Sequence, residues 1–120
     1  MSETTPVPEE PIALPDPDRS GSTTLEATLE GRRSRREYAP GSLSLSTVGQ
    51  LLWAAQGRTH PEGFRTAPSA GATYPLELHL VVAEGGVPDL PAGRYRYRPE
   101  THDLVFESPE PRQGALAAAA

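Results

Sequence analysis

The chain has no cysteine and no lysine. Without cysteine it can form no disulfide framework, no thiolate nucleophile and no thiolate metal site. No apolar run approaches the ~20 residues that a membrane helix needs. No basic start leads into an apolar core, so residues 1–22 are not expected to be a secretory signal, and a cytoplasmic location is the default expectation. No segment repeats. A formal net charge of −5 argues against general nucleic-acid binding. What is left is at most one small domain, because the chain has 120 residues.

Residues 1–22 carry five prolines, Pro6, Pro8, Pro11, Pro15 and Pro17, with acidic residues between them. Proline removes backbone donors and fixes an extended chain, so this stretch is expected to be a mobile, disordered arm. Structure is expected from Thr23. Thr23 and Glu26 have capping-box spacing, and Leu25 and Leu29 lie four apart, so residues 24–32 read as a short helix. A second helix is capped by Ser44, carries an apolar stripe of Leu45, Val48, Leu51, Leu52 and Ala55, and ends at Gly57, with Trp53 at the edge of the stripe. Leu76–Ala83 is rich in β-formers and becomes continuously apolar, which predicts a strand entering the middle of a sheet. Arg94-Tyr95-Arg96-Tyr97-Arg98 alternates strictly, and Leu104-Val105-Phe106 follows a turn, so residues 94–107 predict a hairpin. From Gly114 the chain turns alanine-rich, as a helix would at its start.

Two stretches could carry chemistry. All eleven basic residues are arginine, and four of them fall at positions 32, 33, 35 and 36. Positive charge gathered inside an acidic protein suggests a local anion site, and the planar fork of arginine suits phosphate. Ser34 adds a hydroxyl. A solvated helix end explains the same cluster, since cations are favourable near a helix C-terminus. A nucleic-acid arm is a third possibility.

The other stretch runs from Arg65 to Pro75. A long loop inside a compact domain is uncommon and often functional. Its small residues would let a flat ligand approach the backbone, Ser69 and Thr73 offer hydroxyls, and Tyr74 offers a ring and a donor. A rigid, proline-bounded loop with no ligand is the competing explanation. His60, His79 and His102 show no metal-ligand spacing, so surface or structural roles are expected for them. His79 should face away from Leu78 and Leu80 and could share a sheet face with Glu77. No serine sits in a nucleophile elbow, and no phosphate-loop or dinucleotide fingerprint is present.

Taken in order, Arg-Arg-Ser-x-Arg-x-Tyr, Leu-Ser-Leu-Ser, Gln50-Leu-Leu-Trp-Ala-Ala-Gln-Gly57, Arg65-Thr-Ala-Pro-Ser-Ala-Gly-Ala and Tyr74-Pro-Leu-Glu-Leu resemble the amino-terminal half of a nitroreductase-family flavoprotein. The SagB-type dehydrogenases, which include the azoline oxidases of thiazole/oxazole peptide biosynthesis, are the branch most similar. The resemblance covers about residues 23–107. It implies an α+β, nitroreductase-like fold of which this chain holds the N-terminal helices and the first strands of the central sheet, so that 23–120 would be the N-terminal part of an FMN-binding domain. It also implies a homodimer with FMN at the interface, flavin-mediated hydride transfer, NAD(P)H as a candidate electron donor, and a small-molecule or peptide substrate.

By the same resemblance Arg32, Arg33, Ser34 and Arg36 would contact the phosphate and ribityl chain. Pro68, Ser69, Ala70 and Gly71 would pack against the isoalloxazine, commonly that of the other subunit. Where many nitroreductases carry Asn or Gln near the pyrimidine edge, this chain has Ala72 and Tyr74, which points to the SagB-like branch rather than to nitroaromatic reduction. The family domain normally continues past residue 120, and its second half holds the proposed catalytic Lys-Tyr pair of the azoline oxidases. The catalytic residues are therefore not assigned within this chain. A non-catalytic half-domain acting as a partner or decoy subunit, or a simple anion-binding module, is the alternative expectation.

Overall fold

The alternation at 94–98 resolves into two inward tyrosines and three outward arginines: Tyr95 and Tyr97 are fully buried, while Arg94, Arg96 and Arg98 are half-buried. In the computed structural model, which describes residues 7–109, the elements run β1 (Ile12–Ala13), α1 (Leu25–Gly31), α2 (Leu45–Gln56), a 3-10 turn (Ala70–Ala72), β2 (His79–Val82), β3 (Gly93–Arg98) and β4 (Asp103–Ser108). The strands form one antiparallel sheet in the order β1-β4-β3-β2. With two helices against strands paired this way, the architecture is α+β.

The core is small. Tyr95, Tyr97 and Leu104 from the sheet bury together with Val48 and Leu52 of α2, Val82 of β2, Val87 and Leu90 of the β2–β3 connection, and Leu14. Phe106 meets the edge of the Tyr95 ring at 5.3 Å. The Tyr95 hydroxyl donates to the Pro91 carbonyl at 2.6 Å, which satisfies the one polar atom of an otherwise apolar side chain.

Ser44 caps α2 by accepting from the Thr47 N–H at 3.1 Å, and Gly57 follows its last residue. The buried stripe differs from the expected one. Val48, Gly49, Leu52 and Gln56 face inward, while Leu51 and Ala55 are exposed. Gly49 explains part of the difference, because a Cβ there would lie 3.4 Å from the Cβ of Leu14. The helix is rotated to let Leu14 approach its backbone. The cap of α1 is Thr24 rather than Thr23: its hydroxyl accepts from Ala27 N at 3.1 Å. Leu25 and Leu29 share a face as their spacing requires, yet both are exposed, and α1 buries no residue.

Two further expectations are corrected. The stretch 76–83 narrows to the strand His79–Val82, which lies at the end of the strand order rather than in its middle. Pro75 removes a donor just before this region, and Tyr97 N donates to the Leu78 carbonyl ahead of the first regular pair. The proposed arm at 1–22 is not mobile throughout. Ile12 and Ala13 pair with Leu104 and Asp103, Leu14 N donates to His102 O at 3.1 Å, and Leu14 is buried. One apolar tripeptide, Ile12-Ala13-Leu14, supplies enough side chain to dock a segment whose overall composition reads as unfoldable. The alanine-rich stretch after Gly114 lies outside the described residues.

The segment 58–66 is also more ordered than a plain loop. Arg58 and Arg65 form a β-bridge. Thr59 N donates to Phe64 O at 2.8 Å and Thr66 N to Gly57 O at 2.9 Å. The rings of His60 and Phe64 lie 5.2 Å apart across this small hairpin.

Candidate functional site

Arg32 ends α1, and residues 32–43 carry on without regular structure along an exposed path. Arg33 turns back. Its Nη1 donates to the carbonyls of Glu30 at 2.9 Å and Arg32 at 2.8 Å. This is the favourable placement of a cation over the unpaired carbonyls of a helix C-terminus. Arg32, Arg35 and Arg36 make no ion pair among the described residues. Three guanidinium groups and the Ser34 hydroxyl thus belong to exposed residues.

The second stretch is a tight, internally bonded turn. The Ser69 hydroxyl accepts from Tyr74 N at 2.9 Å and lies 3.4 Å from the Thr73 hydroxyl. Ser69 O accepts from Ala72 N at 3.1 Å, and the Thr73 hydroxyl donates to Ala70 O at 3.2 Å. Gly71, Ala72 and Tyr74 have φ of 66°, 54° and 43°. Two of these left-handed residues carry a side chain, at roughly 1–2 kcal/mol each. Such strain persists where the surroundings over-determine it, and it gathers at functional sites. The two hydroxyls of the turn are bonded within it. Its outer surface is Pro68, Ala70, Gly71 and Ala72, all exposed.

Arg65 braces this turn. Its backbone N–H donates to the Tyr74 hydroxyl at 3.2 Å. Its Nη1 donates to Gln56 Oε1 at 3.2 Å and to Leu76 O at 3.1 Å. Its guanidinium carbon lies 5.0 Å from the Tyr74 ring centroid, within cation–π range. Gln56, the last residue of α2, is buried. Sequence reasoning singled out Tyr74 as a ring and donor facing a ligand and gave Arg65 and Gln56 no role. A polar residue on the inward face of α2 was the available signal, since a buried amide needs a partner.

No hydrogen bond or ion pair joins the Arg32–Arg36 run to the Pro68–Gly71 turn among the described residues. The structure therefore places each candidate group as a separate exposed surface of one chain. The histidines are occupied elsewhere. His79 Nδ1 lies 2.8 Å from Glu107 Oε1, and its Nε2 lies 3.7 Å from Glu77, on the outer face of the sheet. His102 bonds Tyr97 and Pro15. Among the described residues no group of three or more His, Asp or Glu side chains could hold a metal, and no helix is long and apolar enough to cross a membrane.

The family model described as "Nitroreductase family" matches residues 29–119, from the end of α1 past the sheet. "Putative nitroreductase MJ1384" of Methanocaldococcus jannaschii is 45% identical over 94 residues, which cover 78% of this chain and 45% of that protein. A crystal structure described as a "putative nitroreductase", from Ralstonia eutropha, superposes with a TM-score of 0.74 at 33% identity, covering 92% of this chain and 52% of that one. The chain thus spans about half the length of the relatives it matches. The arginine run, α2, the braced turn and strands β2 to β4 all lie inside the matched region, and the chain belongs to the nitroreductase family.

Proposed function

We propose that this chain is the phosphate- and ring-binding part of an FMN-dependent oxidoreductase of the SagB-type dehydrogenase branch. One observation carries the reading: the turn at 68–74 bonds its hydroxyls to its own backbone and to each other, and leaves the small residues Pro68, Ala70, Gly71 and Ala72 exposed. A flat, partly apolar ring can lie on such a surface, because a Cβ added at Gly71 would meet nothing closer than 3.9 Å. The free arginines suit the other end of the same molecule. Arg32, Ser34 and Arg36 offer charge-assisted bonds to a dianionic phosphate, and Arg33 joins them if it leaves the carbonyls at the end of α1.

Hydride transfer is the chemistry that FMN supplies when bound. This chain's residues bind and orient. The arginines would neutralise the phosphate, and the internally bonded turn would offer the ring a fixed surface to lie against. NAD(P)H is the proposed electron donor, and a small molecule or a peptide the proposed substrate. Two features support a homodimer. The arginine run and the turn are not joined within one chain, so two copies could complete each other's site. Leu25, Leu29, Leu51 and Leu76 are exposed and give such an assembly apolar surface to bury.

The test is FMN uptake by the full-length protein. We expect a yellow protein that binds FMN at one per chain. Arg32→Ala and Arg36→Ala should each weaken binding by about tenfold or more, since a hydrogen bond to a charged group contributes about 1.5–3 kcal/mol. The affinity should also fall with salt. A protein that stays colourless and takes up no FMN overturns the proposal.

A further inference from the structure

Arg65 lies inside the stretch proposed to meet the flavin, and a free arginine there could be an anion ligand. Its bonding speaks against that role. Nη1 is shared between Gln56 Oε1 and Leu76 O. One face of the guanidinium lies over the Tyr74 ring. The backbone N–H of the same residue holds the Tyr74 hydroxyl. Arg65 lines two clefts: one shared with Gln56 and Leu76 has about 70 Å³, the room of a few waters rather than of a phosphate ester, and a wider one of about 290 Å³ shared with Tyr74 is also lined by Glu100, whose carboxylate opposes an anion there.

The connectivity runs in one direction. Gln56 is the buried end of α2, so it is fixed by the core. Arg65 ties Gln56 to Tyr74 and Leu76. Tyr74 N in turn donates to the Ser69 hydroxyl, which closes the left-handed turn at Gly71 and Ala72. Resting on the flavin assignment above, we infer that Arg65 is a positioning residue: it clasps the Pro68–Gly71 turn to the C-terminal end of α2 through Gln56 and Tyr74, and it does not itself bind the anion.

Lysine cannot replace it on this geometry. An ammonium has the charge but not the planar fork and stacking face that meet Gln56, Leu76 and the ring together. A residue acting as a charge would tolerate that exchange. Gln56 gives an independent handle, because it has no charge and is buried away from any anion.

The experiment compares wild type, Arg65→Lys, Arg65→Met, Gln56→Met and the Arg65→Met/Gln56→Met double variant in the full chain. Amide hydrogen exchange at Ala72 and Tyr74, measured without flavin, reads the clasp directly, since these two N–H groups close the turn. We expect exchange about tenfold faster in each single variant, Arg65→Lys included, and a double variant no worse than the singles, as coupled neighbours require. FMN affinity should fall by a similar factor while its salt dependence stays at the wild-type slope. If Arg65→Lys keeps wild-type protection and affinity, or if Gln56→Met leaves both unchanged, the clasp is refuted. If Arg65→Met flattens the salt dependence, Arg65 is an anion ligand and the inference fails. Should a methionine variant not fold, as thermal melting would show, Tyr74→Phe removes only the hydroxyl that Arg65 N–H holds; wild-type exchange at Ala72 in that variant also refutes the clasp. The exchange data decide the clasp even if wild type takes up no FMN, in which case the flavin assignment alone falls.

Discussion

The side-chain amide of Gln50 spans the backbone of Asp18: its Nε2 donates to the Asp18 carbonyl at 2.8 Å and its Oε1 accepts from the Asp18 N–H at 2.7 Å. An amide reproduces the donor–acceptor pair of a strand neighbour, so α2 here acts as a pairing partner for a proline-rich segment that cannot build a ladder of its own. One residue further on, the Arg19 guanidinium lies 5.7 Å from the Trp53 ring centroid. Together with Leu14 this fixes residues 14–19 along α2.

Gln50→Ala should release that segment without unfolding the sheet. Two exposed hydrogen bonds contribute about 1–2 kcal/mol in all, so local opening at residues 15–19 should rise by roughly tenfold. Trypsin cleavage after Arg19 reads this opening. It should speed up by that factor, while cleavage in the exposed Arg32–Arg36 run keeps its rate. Equal acceleration at both places would show a global rather than a local effect.

The Arg98–Asp103 pair closes the β3–β4 hairpin with a fork: Nε to Oδ1 at 2.6 Å and Nη2 to Oδ2 at 2.5 Å. The bonds from Arg98 hold the Asp103 carboxyl below its usual range against an opposing push from burial, with help from Thr101. A carboxyl whose folded pKa is lowered lends stability that is complete above its unfolded value of about 3.9 and is lost as pH falls through the folded value. Urea melts should therefore show stability declining from about pH 4 downward. In Asp103→Asn that acid-side slope should flatten, with stability at pH 7 reduced by about 1–3 kcal/mol because the neutral amide pairs less strongly with the guanidinium.

How much of this was legible in the residues depends on whether the deciding contact was local. Ser44 and Gly57 mark both ends of α2 because caps act within one turn. Tyr95 and Tyr97 declare their face because a strand alternates. The α+β fold and the family were readable from ordered motifs. Leu14 was not, since nothing in a proline-rich segment says that Gly49, thirty-five positions away, leaves space for it. Nor could the sequence tell that the Ser69 hydroxyl serves its own turn rather than a ligand, or that Arg33 would turn back onto the Glu30 carbonyl. Each of these depends on a backbone direction that spacing alone does not set.

Gly93 begins β3 with φ of 151°, and a Cβ there would lie 2.3 Å from the backbone oxygen of Ser108 and 2.8 Å from the Phe106 ring. The register between β3 and β4 shifts beside it, between Arg94 and Tyr95. Neither neighbour can give way cheaply: one is backbone in the paired strand, and the other packs on Tyr95. Gly93→Ala should destabilise by roughly 2–5 kcal/mol, the overpacking cost added to that of the forced backbone. Gly85→Ala is the control. It also has positive φ, at 72°, but nothing lies within 4 Å of its added Cβ, so it should cost only the left-handed preference of about 1–2 kcal/mol. Chemical denaturation of both variants orders them, and an equal or smaller loss for Gly93→Ala contradicts the steric account.

The alkaline limit of stability follows from Tyr97. Pro15 O can only accept, so His102 Nε2, 2.9 Å away, carries the proton. With neutral His102, Nδ1 then accepts from the Tyr97 hydroxyl at 2.8 Å. Burial first, and the charge of Glu100 next, push the Tyr97 phenol up to about 12, and burial also raises Tyr95. For an acid held neutral by the fold, stability is complete below the unfolded pKa of about 10 and is lost as pH rises through the folded value. The absence of lysine makes this loss readable, because no ammonium group titrates in the same window. Stability from urea melts should hold up to about pH 10 and decline from there toward pH 12. In Tyr97→Phe the decline should be shallower but not absent, since Tyr95 remains. At neutral pH that variant should lose about 1–2 kcal/mol, because His102 Nδ1 is left without a donor. An unchanged alkaline slope in Tyr97→Phe would mean that the hydroxyl is not held neutral by the fold.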